Sequence, residues 1–285
     1  MASSRLSTAS QHEARLAYMP ALDGIRALAV AAVLLYHGEV SWAQGGYLGV
    51  DAFFVLSGFL ITSLLLAEWR GEGRIALSAF WARRARRLLP ALFLVLAGVA
   101  VYGAVVAAPV ELDQLRRDGL SALGYVANWG QIFSHQSYFQ SFAAPSPLRH
   151  TWSLAIEEQF YLVWPLLVAG VLRWRRGSFR SLTMITGALL VASATWMVLL
   201  YTPGADPTRV YYGTDTRAQS LLMGALLALV LARRRRPMGD AATRVLHGGH
   251  WSPHSRSAGS GRTPRRRPAG STGAASRCAR CSSRS

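Results

Sequence analysis

Six stretches of this chain stay apolar for about the 20 residues that an α-helix needs to cross a hydrocarbon core. They cover residues 20–37, 48–67, 88–108, 152–172, 182–201 and 216–232, and arginine-bearing or polar segments separate them. The pattern predicts an all-α fold, a polytopic transmembrane helix bundle. A seventh piece, 119–133, is only moderately apolar and too short to span, and is expected as a re-entrant or half-spanning segment in an outer loop. Ionisable groups interrupt the first two spans, and the second is rich in glycine. Such helices are costly against lipid and are expected to pack inside the bundle.

Composition sharpens this picture. The chain is 51% hydrophobic and only 16% charged, which excludes an ordinary soluble domain. Its formal charge is +17, and with no lysine present all 31 of its Lys+Arg residues are arginine. Arginine-rich short loops stay cytoplasmic. Arg70, Arg74, Arg83, Arg84, Arg86 and Arg87 form one such group, Arg173, Arg175, Arg176 and Arg180 a second, and Arg233 to Arg236 a third. Six spans place all three groups inside, together with the N-terminus, in the cell membrane. Segments 38–47, 109–151 and 202–215 then face outward. The domain organisation expected is a polar cytoplasmic segment at 1–19, a membrane domain at 20–232, and a basic, low-complexity, disordered tail at 233–285. Residues 1–19 lack the apolar core of a cleavable signal, so the first span is read as an uncleaved signal anchor. Cys278 and Cys281 are the only cysteines and cannot complete a four-ligand zinc site.

Candidate chemistry lies in ionisable residues within the spans. Arg26 and His37 are 11 residues apart, which brings both to one face of a helix and separates them by about 16 Å along its axis. Asp23 lies one turn from Arg26, at pairing distance. Interfacial snorkelling is the alternative for Asp23 and Arg26, and a second ionisable cluster at the same outer level as His37 favours the functional reading over it. A second cluster, Trp152, Ser153, Glu157 and Glu158, opens the fourth span at the same outer level. A histidine beside a carboxylate makes a general base for a hydroxyl, and successive helix positions diverge so far that only one of the two glutamates should face it. Asp51 begins the second span, and Ser57 with Gly58 suits helix packing better than nucleophilic chemistry. Arg83, Arg84, Arg86 and Arg87 precede a span whose start Pro90 marks. They suit anionic headgroups or the phosphates of a nucleotide-bearing thioester alike.

Several strings together resemble the acyltransferase-3 family of integral membrane acyltransferases: LDGIRALAV followed by YH, GVDAFFVLSGFLIT, the pattern from Phe80 to Pro90, HTWSLAIEEQFYLVWP and YYGTDTRAQSLLMGALLA. They occur in family order over residues 18–232. The resemblance implies transfer of an acyl group, acetyl foremost, from cytoplasmic acyl-CoA (acetyl-CoA) to a hydroxyl of a carbohydrate or glycoside acceptor. It calls for no metal, and names membrane lipids as surroundings and no specific nucleic acid as partner. It makes His37 the catalytic base and Arg26 its companion in the signature. It assigns Arg83, Arg84 and Arg87 to the acyl-CoA side, Trp152, Ser153 and Glu157 or Glu158 to the outer motif, and Asp215 with Arg217 to the later motif. Family members carry more spans than the six read here. The break in composition after 232 is accordingly read as truncated or out-of-frame sequence, with an inactive fragment as one alternative and a polytopic transporter as another.

Overall fold

A computed structural model describes residues 19–134 and 146–234 of this chain. The basic tail, its two cysteines and nearly all of the polar N-terminal segment lie outside the described residues. Within them the chain is helical throughout, and six helices are long and apolar enough to cross a membrane. They are α1 (Pro20–His37), α2 (Gly49–Glu72), α3 (Leu77–Val105), α6 (Thr151–Trp174), α7 (Phe179–Leu200) and α9 (Thr214–Arg233). Three short α-helices, α4 (Leu112–Leu123), α5 (Ala127–Phe133) and α8 (Thr208–Tyr212), and two 3-10 segments, Ser41–Leu48 and Pro109–Glu111, lie in the connections. The protein is a multi-pass membrane protein built as an all-α bundle.

The centre of the bundle is α2 against α9, with α7 beside α9 and α6 beside α2. Phe54, Leu65, Leu66, Ile156, Leu172, Leu221 and Leu229 are completely or almost completely buried along these contacts. Glycine sets the α2–α9 distance. A Cβ built at Gly58 would lie 2.7 Å from the backbone carbon of Leu221, and one at Gly224 would lie 2.7 Å from the backbone nitrogen of Phe59. Each glycine thus receives the other helix's backbone, the close approach by which membrane helices gain packing. Near the N-terminal ends of the same two helices, Arg217 Nη1 donates to both carboxylate oxygens of Asp51, at 3.0 and 3.1 Å, and Ser220 Oγ donates to Asp51 at 2.9 Å. Because Asp51 keeps partial solvent contact, removing either charge alone, by Asp51→Leu or Arg217→Met, is expected to cost about 2–3 kcal/mol. The double variant should lose less than the sum, as read by thermal unfolding in detergent.

The segment 119–133, too short to span, is the end of α4 and the whole of α5, joined by a turn in which Tyr125 takes a positive φ of 52°. Two expectations are corrected. The arginines at 83–87 do not sit in a loop, and Pro90 does not mark a helix start. Both lie inside α3, whose 29 residues make a rod of about 43 Å, longer than the roughly 30 Å hydrocarbon core. Its first turns therefore project beyond the apolar layer and carry the guanidiniums with them. Finally, α2 packs inside the bundle as expected, but α1 lies at its edge among the described residues, with only Ala29 buried. Its charges allow this because Arg26 Nη1 and Asp23 Oδ1 pair at 3.0 Å and neutralise one another, while Ile25, Leu28 and Leu34 point outward.

Candidate active site

The α1 face turned toward α2 carries Arg26, Ala29, Val33 and His37 at helical spacing, so the stripe inferred from periodicity exists. Gly49 lets α2 approach it: a Cβ there would meet the Ala29 carbonyl oxygen at 2.6 Å. At the His37 end of this stripe opens a pocket of about 350 Å³. Its walls include Val33, His37, Phe54, His150, Trp152, Ser153 and Glu157. Four predicted site residues, His37, Trp152, Ser153 and Glu157, are thus brought together from α1 and α6.

His37 Nδ1 lies 2.8 Å from the Val33 carbonyl oxygen. A carbonyl can only accept, so this bond assigns the ring proton to Nδ1 and the basic lone pair to Nε2. The tautomer is set by the residue's own helix, where the sequence predicts a neighbouring carboxylate. Glu157 is otherwise engaged: Ser57 Oγ donates to it at 2.9 Å and Tyr161 Oη at 3.4 Å. Ser57 thus bonds across helices, as its packing role requires.

The two glutamates diverge as the 100° step demands. Glu157 lines the pocket, whereas Glu158 turns to α3 and pairs with Arg84 at 3.0 Å. The Arg84 guanidinium also stands 3.5 Å above the Tyr161 ring, and Trp81 Nε1 donates to the Tyr161 carbonyl at 3.1 Å. The arginine group is therefore divided. Arg84 points into the bundle, with its Nε buried and lacking a hydrogen-bond partner, while Arg83, Arg86 and Arg87 are exposed on α3. The later motif is divided too. Asp215 pairs with Arg209 at 2.6 Å and accepts from Trp196 at 2.7 Å, and Arg217 goes to Asp51. Neither Asp51, Asp215 nor Arg217 lines the pocket.

One residue in the pocket escapes the sequence reading. His150 precedes α6, and its ring lies edge-on to His37 with centroids 5.2 Å apart. Burial, then the neighbouring His37 and Arg149, push its imidazole below the usual histidine range. The only sequence signal is its place at the polar start of HTWS, at the outer level already assigned to His37.

The acyltransferase domain profile of the acyltransferase-3 family matches residues 19–241, which takes in every helix of the bundle. The chain belongs to the acyltransferase-3 family. It is 52% identical over 213 residues to the peptidoglycan O-acetyltransferase OatA of Listeria monocytogenes, covering 75% of this chain and 34% of that protein. It is 47% identical over 232 residues to the putative peptidoglycan O-acetyltransferase YrhL of Bacillus subtilis, covering 81% and 36%. To the O-acetyltransferase OatA of Staphylococcus aureus it is 43% identical over 213 residues, covering 75% and 35%. The chain thus spans about a third of the length of these curated relatives. No solved structure matches.

Proposed function

We propose that this acyltransferase-3 domain moves an acetyl group from acetyl-CoA to a carbohydrate hydroxyl of peptidoglycan, with His37 as general base. The observation that carries the reading is the Val33-fixed tautomer of His37, which leaves Nε2 as the basic nitrogen of a ring that lines one pocket with Trp152, Ser153 and Glu157. The names of the relatives support the acceptor class. A bound acyl-CoA supplies the thioester, whose carbonyl carbon bonds to the hydroxyl oxygen as the C–S electron pair leaves on sulfur. His37 takes the hydroxyl proton at Nε2 and releases it to the leaving thiolate, so the imidazole ends neutral. Trp152, buried against Phe54, Tyr211 and Tyr212, stiffens the pocket wall, and Ser153 offers a hydroxyl there. Glu157, held by Ser57 and Tyr161, fixes the floor. Arg26 shares its α1 face with His37 and supports the same stripe from the inner side.

The arginines of α3 fit the donor. Arg83 and Arg87 are exposed and match phosphate oxygens bidentately. Arg84, with its unsatisfied Nε, stands between them and Glu158. Asp51, Arg217 and Asp215 serve the site from behind, by holding α2 and α9 together. In this orientation the N-terminus and the start of α3 are cytoplasmic, and the His37 pocket faces outward.

Proteoliposomes holding the full chain, given acetyl-CoA with a labelled acetyl group and soluble muropeptides, should produce labelled glycan. Absence of label on the glycan under conditions where the chain is folded would refute the reading. Arg83→Ala with Arg87→Ala should raise the KM for acetyl-CoA about tenfold or more, from the loss of two charge-assisted contacts, and leave the KM for muropeptide unchanged. Equal rises in both would assign these arginines to lipid or to structure.

A further inference from the structure

His150 lies in the pocket, yet the proposed mechanism gives it no task. Its backbone is pinned on both sides. Leu148, two residues earlier, is 1% exposed and anchors the turn. Thr151 donates to the Leu148 carbonyl from its backbone nitrogen at 3.0 Å and from its hydroxyl at 2.7 Å. Gln131 Nε2, from α5, donates to the Arg149 carbonyl at 2.8 Å. The ring is therefore presented to His37 by a turn fixed from two elements, and its position is not that of a loose boundary histidine.

The chemistry of the pair is constrained. Two imidazolium ions at this separation repel, and the start of α6 disfavours a cation at His150 further, because the helix dipole is positive there. Burial, His37 and Arg149 act in the same direction. His150 therefore stays neutral while His37 takes up and gives back a proton. A neutral imidazole carries one N–H donor and one acceptor nitrogen. The ring centroids are 5.2 Å apart and edge-on, so the rings touch, and both line the same pocket. A hydroxyl oxygen in the pocket beside the pair can then lie about 2.8 Å from a nitrogen of each ring.

We infer that His150 is the second hydrogen-bonding residue for the acceptor hydroxyl, its N–H donating to the oxygen whose proton His37 Nε2 accepts. The inference rests on His37 being the base. Under it, His150 removes no proton: it fixes one lone pair of the hydroxyl oxygen, leaves another aimed at the acyl carbon, and keeps its own proton throughout.

The test compares His150→Phe, which keeps a ring against His37 but has no nitrogen, with His150→Gln, which keeps an N–H donor. Each is measured in the full chain in two ways: the KM for muropeptide during acetyl transfer, and the Kd of the same muropeptide without donor. His150→Phe should raise both up to about tenfold, the upper range for one neutral hydrogen bond, and leave the KM for acetyl-CoA unchanged. His150→Gln should recover most of the loss. Wild-type values in His150→Phe would show that the ring only packs, and a loss in His150→Gln as large as in His150→Phe would likewise overturn the assignment. The Kd separates this inference from the parent reading: glycan binding that depends on His150 without acetyl transfer would refute the transferase reading alone.

Discussion

Replacing His37 with alanine is expected to lower acetyl transfer to muropeptide by at least about a hundredfold, the lower range of what a positioned general base contributes. The variant should fold. His37 is exposed at the end of α1, where it meets its own Val33 carbonyl and the rings of Tyr36 and His150, so little packing is lost. Binding of acetyl-CoA should persist, because the guanidiniums proposed to hold it lie on α3. The measurement is initial rate in proteoliposomes beside a binding isotherm for the donor. A His37→Ala protein that binds donor and still labels glycan at the wild-type rate removes His37 from the chemistry. His37→Gln should not rescue, since an amide can accept a hydrogen bond but cannot carry the proton away.

The second large effect is on folding. Gly58→Ala or Gly224→Ala places a methyl group against the opposing backbone, which has no rotamer through which to yield. The helices must separate, and every contact along the α2–α9 seam loosens with them. Overpacking a filled core costs about 1–3 kcal/mol, and here the seam is the centre of the bundle. Gly224→Leu should cost more than Gly224→Ala. The check is the yield of monodisperse protein on size exclusion, with the unfolding temperature of whatever survives. Wild-type yield and unfolding temperature in both alanine variants would show that the seam has slack. Gly98, with open space around its Cβ position, is the matched control.

The helices are legible in the sequence because spanning a membrane makes a demand each segment meets alone: enough apolar length with internally satisfied backbone. The ends are less legible. Arg83 to Arg87 look like loop residues by polarity, but a helix that projects past the hydrocarbon carries charge freely, and polarity cannot tell that case from a loop. Periodicity places Arg26 and His37 on one face and separates Glu157 from Glu158, because both are properties of a single helix. Pairings between helices are beyond it. Arg217 finds Asp51 through the register of α9 against α2, which depends on where Gly58 and Gly224 let the backbones touch, and Arg84 finds Glu158 through the register of α3 against α6. His150 escapes for the same reason. Its meaning comes from a ring on α1, and nothing in the residues around it points there.

The wall that holds Glu157 also owes its order to polar contacts on its other side. Asn128 Nδ2 donates to the Tyr212 carbonyl and to Thr214 Oγ1, Thr214 Oγ1 donates to Gln159 Oε1, and Gln159 Nε2 donates to Asn128 Oδ1 and the Tyr125 carbonyl. Each amide in this ring satisfies the next, so none can leave without stranding another in a buried place. Opening is therefore all-or-none: α5, α6 and the first turn of α9 exchange with solvent as one cooperative unit. The pocket's lifetime in its working shape is then expected to follow the opening of that unit as a whole, and not the fraying of the more exposed helix that contributes the histidine.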